Sequence, residues 1–152
     1  MNVQIRAATL EDVPHLLHHR LAMFEEMEKL KPSLRGEVEQ DSREYFCKAL
    51  AGGTYKGWLA EECDGRILAG GGLVLAAWPG YPGERNSRRA WILNMYTEPE
   101  ARRRGLAKRL LEVMIAWCRA NGFRAVSLHA SDAGRPLYER LGFAATNEMR
   151  LT

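Results

Sequence analysis

No stretch of this sequence is apolar enough to cross a bilayer. Its longest low-charge run, Ile67 to Trp78, falls well short of the roughly 20 residues that a spanning helix needs. The start, MNVQIRAATL, lacks the apolar core of a signal peptide. Cysteine is scarce: Cys47, Cys63 and Cys118 are widely separated, odd in number and outside any Cys-x-x-Cys or Cys/His metal spacing. That argues against a disulfide framework or a metal site and predicts reduced thiols in a soluble cytoplasmic protein. No internal repeat, low-complexity tract or linker interrupts the chain. Nor is one charge in large excess, since 22 basic and 19 acidic residues leave a formal +3. Such a balance does not argue for nucleic acid by itself, yet it leaves room for an anionic cofactor.

What is present is the composition of a globular protein, 46% apolar and 27% charged over 152 residues, which predicts one domain spanning 1–152. Val3 to Arg6 alternates like a short strand. Thr9 with Asp12 has the pattern of a capping box. Beyond it Val13, Leu17, Leu21 and Phe24 recur at helical spacing, flanked by Leu16 and Met27, until Lys31-Pro32. A second, more polar helix is expected over Glu37 to Ala51, closed by Gly52-Gly53. Tyr55 to Cys63 and Arg66 to Trp78 flank Asp64-Gly65, a hairpin signal.

Pro79 to Arg88 reads as a loop and Trp91 to Thr97 as a third strand of that sheet. Leu106, Leu110, Val113 and Trp117 mark an amphipathic helix running to Asn121-Gly122. An apolar strand from Ala125 to Ala130, a short helix around Pro136 to Leu141 and a final strand from Phe143 to Leu151 complete the chain. The order β-α-α-β-β-β-α-β-α-β, a meander entering a βαβ crossover, predicts an α/β mixed sheet with helices on both faces.

The sharpest chemistry lies between Thr97 and Lys108. Pro99 ends a strand, Arg102, Arg103 and Arg104 follow, and Gly105 precedes a long helix. The first N–H groups of a helix have no internal partner, so its start is a natural anion site. Gly105 leaves the approach open, Ala107 keeps the next turn small, and the arginines with Lys108 and Arg109 supply a positive field. Physics alone leaves two readings, a polyphosphate site and a solvated basic helix start with weak affinity for nucleic acid.

The run Tyr96-Thr97-Glu98-Pro99-Glu100-Ala101-Arg102-Arg103-Arg104-Gly105-Leu106-Ala107 resembles the signature of the GNAT N-acetyltransferase superfamily, Arg/Gln-x-x-Gly-x-Gly/Ala after a strand. Leu137-Tyr138-Glu139-Arg140-Leu141-Gly142-Phe143 resembles that family's second signature, a helix ending in Tyr-x-x-x-Gly-Phe. The element order also matches the family's three-layer fold along nearly the whole chain.

The resemblance implies an acyl-CoA-dependent N-acetyltransferase that moves an acetyl group from acetyl-CoA to a primary amine of a small molecule or peptide, without a metal. It implies that backbone N–H groups of Arg103, Arg104, Gly105, Leu106, Ala107 and Lys108 bind the pyrophosphate, with Arg102 in the first position of the pattern. The strand carrying Met95, Tyr96 and Thr97 would splay from the next parallel strand and pair with the pantetheine arm. An N–H near Met95 would polarise the thioester carbonyl. Tyr138 matches the family's tyrosine, which protonates or hydrogen-bonds the leaving thiolate, where an isolated helical tyrosine would simply pack in a core with a wet hydroxyl.

Many relatives carry Asn where this chain has Ser131, whose hydroxyl offers a similar contact. Arg135 either adds a phosphate contact or is solvated. A homodimer through the 79–88 loop or the final strand stays open. So does a non-catalytic CoA-binding or regulatory module on the same fold. Nucleic acid is not an expected partner, because the basic run lacks interleaved aromatics and a broad basic face, nor is a membrane, since the longest low-charge run is too short to span one.

The acceptor side is less legible. Several relatives use a carboxylate on the strand before the phosphate turn, but Arg89 to Thr97 contains none, and Asn94 is no base. A water chain, His129 and a residue of the first helices remain open for that role. In its strand His129 reads more readily as a buried, hydrogen-bonded imidazole. Arg20 falls within the apolar stripe of the first helix, either paired at the helix edge or snorkelling outward, or facing the acceptor to bind a carboxylate. His15 and His19, one turn apart and off that stripe, are expected to be solvated. Trp78 and Tyr81 suit a wall or lid over the acceptor, or a cover for the end of the sheet.

Overall fold

The computed structural model describes residues 2–152. β1 (Val3–Ala7) leads into α1 (Val13–Glu26) and α2 (Arg35–Gly52). β2 (Tyr55–Glu62), β3 (Ile67–Ala77) and β4 (Arg88–Thr97) then form an antiparallel meander. α3 (Leu106–Ala120) crosses over to β5 (Val126–Leu128), and α4 (Arg135–Arg140) follows. The sheet order is β1-β2-β3-β4-β5, antiparallel except for the parallel β4–β5 pair.

Local chemistry explains the punctuation. The capping box forms as the sequence predicts: Thr9 N–H donates to Asp12 Oδ2 at 2.8 Å. Asp12 also accepts both ends of the Arg6 guanidinium, at 2.8 and 2.9 Å. That hydrogen bonding holds the Asp12 carboxyl at about 2 and ties β1 to the start of α1. α2 closes on Gly53, whose φ of 75° is left-handed. Asp64 Oδ1 accepts from Arg66 N–H at 3.0 Å and supports the β2–β3 hairpin.

Two apolar clusters sandwich the sheet. α3 buries Leu106, Leu110, Leu111, Met114 and Cys118 against Leu68, Leu73, Leu75 and Ile92 on one face. α1 and α2 bury Val13, Leu16, Leu17, Phe46 and Ala49 against Tyr55, Leu59 and Ile67 on the other. β3 lies between them and carries Gly70-Gly71-Gly72 at its middle. A Cβ at Gly70 would lie 2.8 Å from His19 Nδ1, and one at Gly72 would lie 2.0 Å from Tyr55 Oη. The glycines therefore admit large side chains onto the faces of the central strand.

Three expectations need correction. The final strand from Phe143 to Leu151 does not form: residues 143–152 join no ladder, and Met149 and Leu151 are 94% and 100% exposed. The available edge is too short to template it, because β5 has three residues rather than the expected six from Ala125 to Ala130. His19 is buried, not solvated. It turns under the helix against the space left by Gly70 and lies 5.4 Å from the Tyr96 ring. Burial, then the neighbouring His18 and His15, bring its pKa down to about 3. Glu98 Oε1 lies 3.8 Å from His19 Nε2 and would favour the cation, but the same oxygen is engaged by His18 at 2.6 Å. Desolvation wins. His129, expected to be buried, is exposed and meets Glu148 at 2.8 Å, because β5 ends at Leu128.

Candidate active site

β4 follows β5 only over Ala90, Trp91 and Ile92, paired with Val126, Ser127 and Leu128. Just beyond, the β3–β4 register slips between Gly70 and Gly72, which pair with Tyr96 and Leu93. The extra length is taken up at Asn94, whose φ of 60° is left-handed. Asparagine tolerates that conformation better than the β-branched residues usual in strands. Asn94 is buried, and its Nδ2 donates to the Leu16 carbonyl of α1 at 3.1 Å. Such a bulge bends its strand, and here β4 leaves β5 behind.

The gap is a groove of about 1310 Å³. One wall is the second half of α1, with Arg20, Met23 and Phe24; the floor is Leu93 to Thr97 of β4; the far wall runs from Leu128 to Ser131 and on to α4. At its mouth stands the turn before α3. Arg103 has φ 61° and Gly105 φ 76°. A left-handed non-glycine residue costs roughly 1 kcal/mol, a strain typical of functional turns. The first helical bond beyond the turn runs from Arg109 N–H to the Gly105 carbonyl at 3.1 Å. The N–H groups of Leu106, Ala107 and Lys108 thus precede it, as helix geometry requires, and all three residues line the groove.

The three arginines separate. Arg102 donates to Glu26 at 2.6 and 2.8 Å and to the Thr97 carbonyl at 3.0 Å, and lies over the Tyr96 ring. Arg103 lines the groove, whereas Arg104 reaches Glu62 at 3.4 Å. Tyr96 turns its hydroxyl to Glu26 at 3.0 Å, and burial with that bond raises it to about 12. Glu26 is the only carboxylate among the described residues that line the groove. Its pKa is lowered, first by the hydrogen bond from Arg102.

Tyr138 stands in the far wall, half-buried and edge-on to Phe143 at 6.0 Å. Burial raises its hydroxyl pKa. A Cβ at Gly134 would come within 2.8 Å of the Tyr138 ring, so glycine lets the ring lie against the backbone. Ser131 Oγ accepts from Gly134 N–H at 3.1 Å, opening the turn into α4. Met95 and Thr97 line the floor, and Lys108 lines the mouth.

Of the residues expected on the acceptor side, Arg20 and His129 reach the groove. Trp78 and Tyr81 do not line it: they take Arg89 between them, at 4.8 and 4.4 Å from their ring centroids, and so cover the sheet end. Arg135 also lies outside, 3.9 Å from Glu139. Two residues that shape the site went unread in the sequence. Asn94, a poor strand former in the middle of an apolar strand, was the visible signal of the bulge. Glu26 carried no signal beyond its place at the end of α1. Among the described residues, no cluster of three or more His, Cys, Asp or Glu side chains could hold a metal ion, and no helix is long and apolar enough to cross a membrane.

The Acetyltransferase (GNAT) family matches residues 20–143. The chain superposes on a GCN5-related N-acetyltransferase from Ralstonia eutropha with a TM-score of 0.90 and 33% identity, covering 99% of this chain and 98% of that one. A predicted acetyltransferase from Clostridium acetobutylicum, solved with acetyl-CoA, gives 0.88 and 27%, covering 99% and 95%. Glucosamine-6-phosphate N-acetyltransferase from Arabidopsis thaliana shares the fold, with a TM-score of 0.68 at 19% identity, covering 100% and 98%. No curated protein matches the sequence. With the arginine-rich turn, the parted strands and Tyr138 on one groove, the family match has its structural counterpart: this chain belongs to the GNAT family of acetyltransferases.

Proposed function

We propose that the protein transfers an acetyl group from acetyl-CoA to a primary amine of a small molecule or peptide, by direct attack of the amine on the thioester. The observation that carries this reading is the continuity of one groove from the start of α3, between the parted strands, to Tyr138. Its volume of about 1310 Å³ exceeds the roughly 300–1,000 Å³ of a single-ligand pocket. That suits a long donor with an acceptor beside it.

In this reading acetyl-CoA supplies the activated acetyl group. The N–H groups from Arg103 to Lys108 receive its pyrophosphate at the helix start, and Arg103 and Lys108 add charge. The free edge of β4 over Met95, Tyr96 and Thr97 lies along the pantetheine arm, with Ser131 opposite. The N–H at Met95 polarises the thioester carbonyl. The amine nitrogen bonds to the carbonyl carbon, the C–S bond breaks, and Tyr138 gives its proton to the departing thiolate. The raised pKa keeps that proton in place until then. Glu26 is already held by Arg102 and Tyr96, so the acceptor enters as the neutral amine, gives up one proton to water as the C–N bond forms, and solvent returns a proton to Tyr138.

Thiol release from acetyl-CoA in the presence of an amine panel tests this directly. The scarcity of free carboxylates in the groove favours a second reading, a CoA-binding module without turnover. Acetyl-CoA binding with no thiol release across the panel would establish that reading instead.

A further inference from the structure

Arg20 is charged, half-buried and without an acid. It lines the groove from the α1 side, beside Met23 and Phe24. Its Nη1 is wholly enclosed with no hydrogen-bond partner. Among the described residues no carboxylate pairs with it, whereas Arg102, which also lines the groove, meets Glu26. The groups facing it do not compensate. Phe24 of α1 offers a ring face 4.8 Å from Cζ, which attracts a cation but accepts no conventional hydrogen bond. Tyr45 of α2 and Tyr55 of β2 have hydroxyl pKa values raised by burial, so both are neutral at ordinary pH. Burial also lowers the Arg20 pKa, yet a guanidinium keeps its proton in proteins. A desolvated cation with an unmet donor is unfavourable alone and strongly favours an incoming anion.

We infer that Arg20 is the acceptor-specificity residue, and that the acceptor is a small amine carrying its own oxyanion, a carboxylate or a phosphate-like group. This rests on the acetyltransferase reading above. Arg20 shares one groove with Met95 at the reacting end, so one small molecule can present its oxyanion to α1 and its amine to β4. A planar guanidinium fork matches carboxylate and phosphate oxygens alike. The apolar neighbours Met23 and Phe24 suit an acceptor with a hydrocarbon body.

The test is calorimetric titration of the CoA-saturated protein. The probes are leucine, methionine and phenylalanine, the amines lacking their carboxyl group, and the corresponding aminophosphonates. At least one oxyanion-bearing member should bind about tenfold or more tighter than its neutral counterpart; whether that member is a carboxylate or a phosphonate identifies the oxyanion. Arg20→Gln should erase the difference, and Arg20→Lys, which keeps the charge without the fork, should retain part of it. Thermal melting checks that both variants remain folded. Equal binding within every pair, absence of binding by all probes, or discrimination that survives in folded Arg20→Gln would overturn the inference. Thiol release with the same probes separates the two claims. Transfer without preference defeats the role of Arg20 alone, whereas preferential binding without transfer across the wider amine panel defeats the transferase reading alone.

Discussion

Glu26, the last residue of α1, holds the guanidinium of Arg102 through both of its carboxylate oxygens, at 2.6 and 2.8 Å. The pair joins the wall of the groove to the turn at its mouth. Both side chains are more than a third exposed, so solvent screening limits its worth to under about 1 kcal/mol. Glu26→Gln should leave the melting temperature nearly unchanged while freeing Arg102. CoA affinity is expected to rise severalfold, and more at low salt. Calorimetry at two ionic strengths measures it; a weaker affinity would show that the clamp acts by positioning the turn rather than by occupying a cation.

Tyr138→Phe should keep the fold and acetyl-CoA binding but lower thiol release at least about tenfold, in the range expected when an acid is removed. Turnover equal to the parent protein would take Tyr138 out of the proton transfer.

The enclosed hydroxyl of Tyr55 has no hydrogen-bond partner. Removing an unsatisfied polar group from a core is neutral or stabilising, so Tyr55→Phe should melt no lower than the parent. Gly72→Ala should do the opposite. Its Cβ would lie 2.3 Å from Tyr55 Cζ, and overpacking against a rigid buried ring costs about 1–3 kcal/mol. Chemical denaturation distinguishes the two.

His19 links stability to pH. Its pKa is near 3 in the folded protein and about 6.5 in an unfolded chain, so between those values the unfolded state binds the extra proton. Stability from this site is complete above pH ~6.5 and is lost as the pH falls toward ~3, by up to about 1.4 kcal/mol per pH unit. His19→Gln should flatten that slope in denaturation curves recorded across the interval. An unchanged slope would assign the acid sensitivity elsewhere, with Asp12 contributing only below pH ~4, from where its stabilisation is lost as the pH falls through about 2.

Most of the fold was legible because its signals are local. Thr9 and Asp12, Asp64-Gly65 and Gly53 each set a boundary through their own backbone chemistry, and the stripe of α3 declared its buried face. The arginine-rich turn before α3 was legible for the same reason, since Arg102 to Ala107 is continuous in sequence. What escaped depends on meetings of distant residues. His19 was misplaced because its burial requires the glycine at position 70 on another element. Trp78 and Tyr81 carry no mark that Arg89 will sit between them. The final strand had acceptable residues, but a strand needs a partner edge, and β5 ends where β4 turns away.

That turning away has a mechanical consequence. α1 is fastened to the floor by Asn94 on Leu16 at one end of the groove and to the turn by Glu26 on Arg102 at the other. The helix that walls the groove is thus fastened at two points, to the bulged strand and to the turn before α3. Moving this helix to widen the groove would therefore pull on both the β4 bulge and the Arg102–Gly105 turn, so the two ends of the groove are linked through one helix.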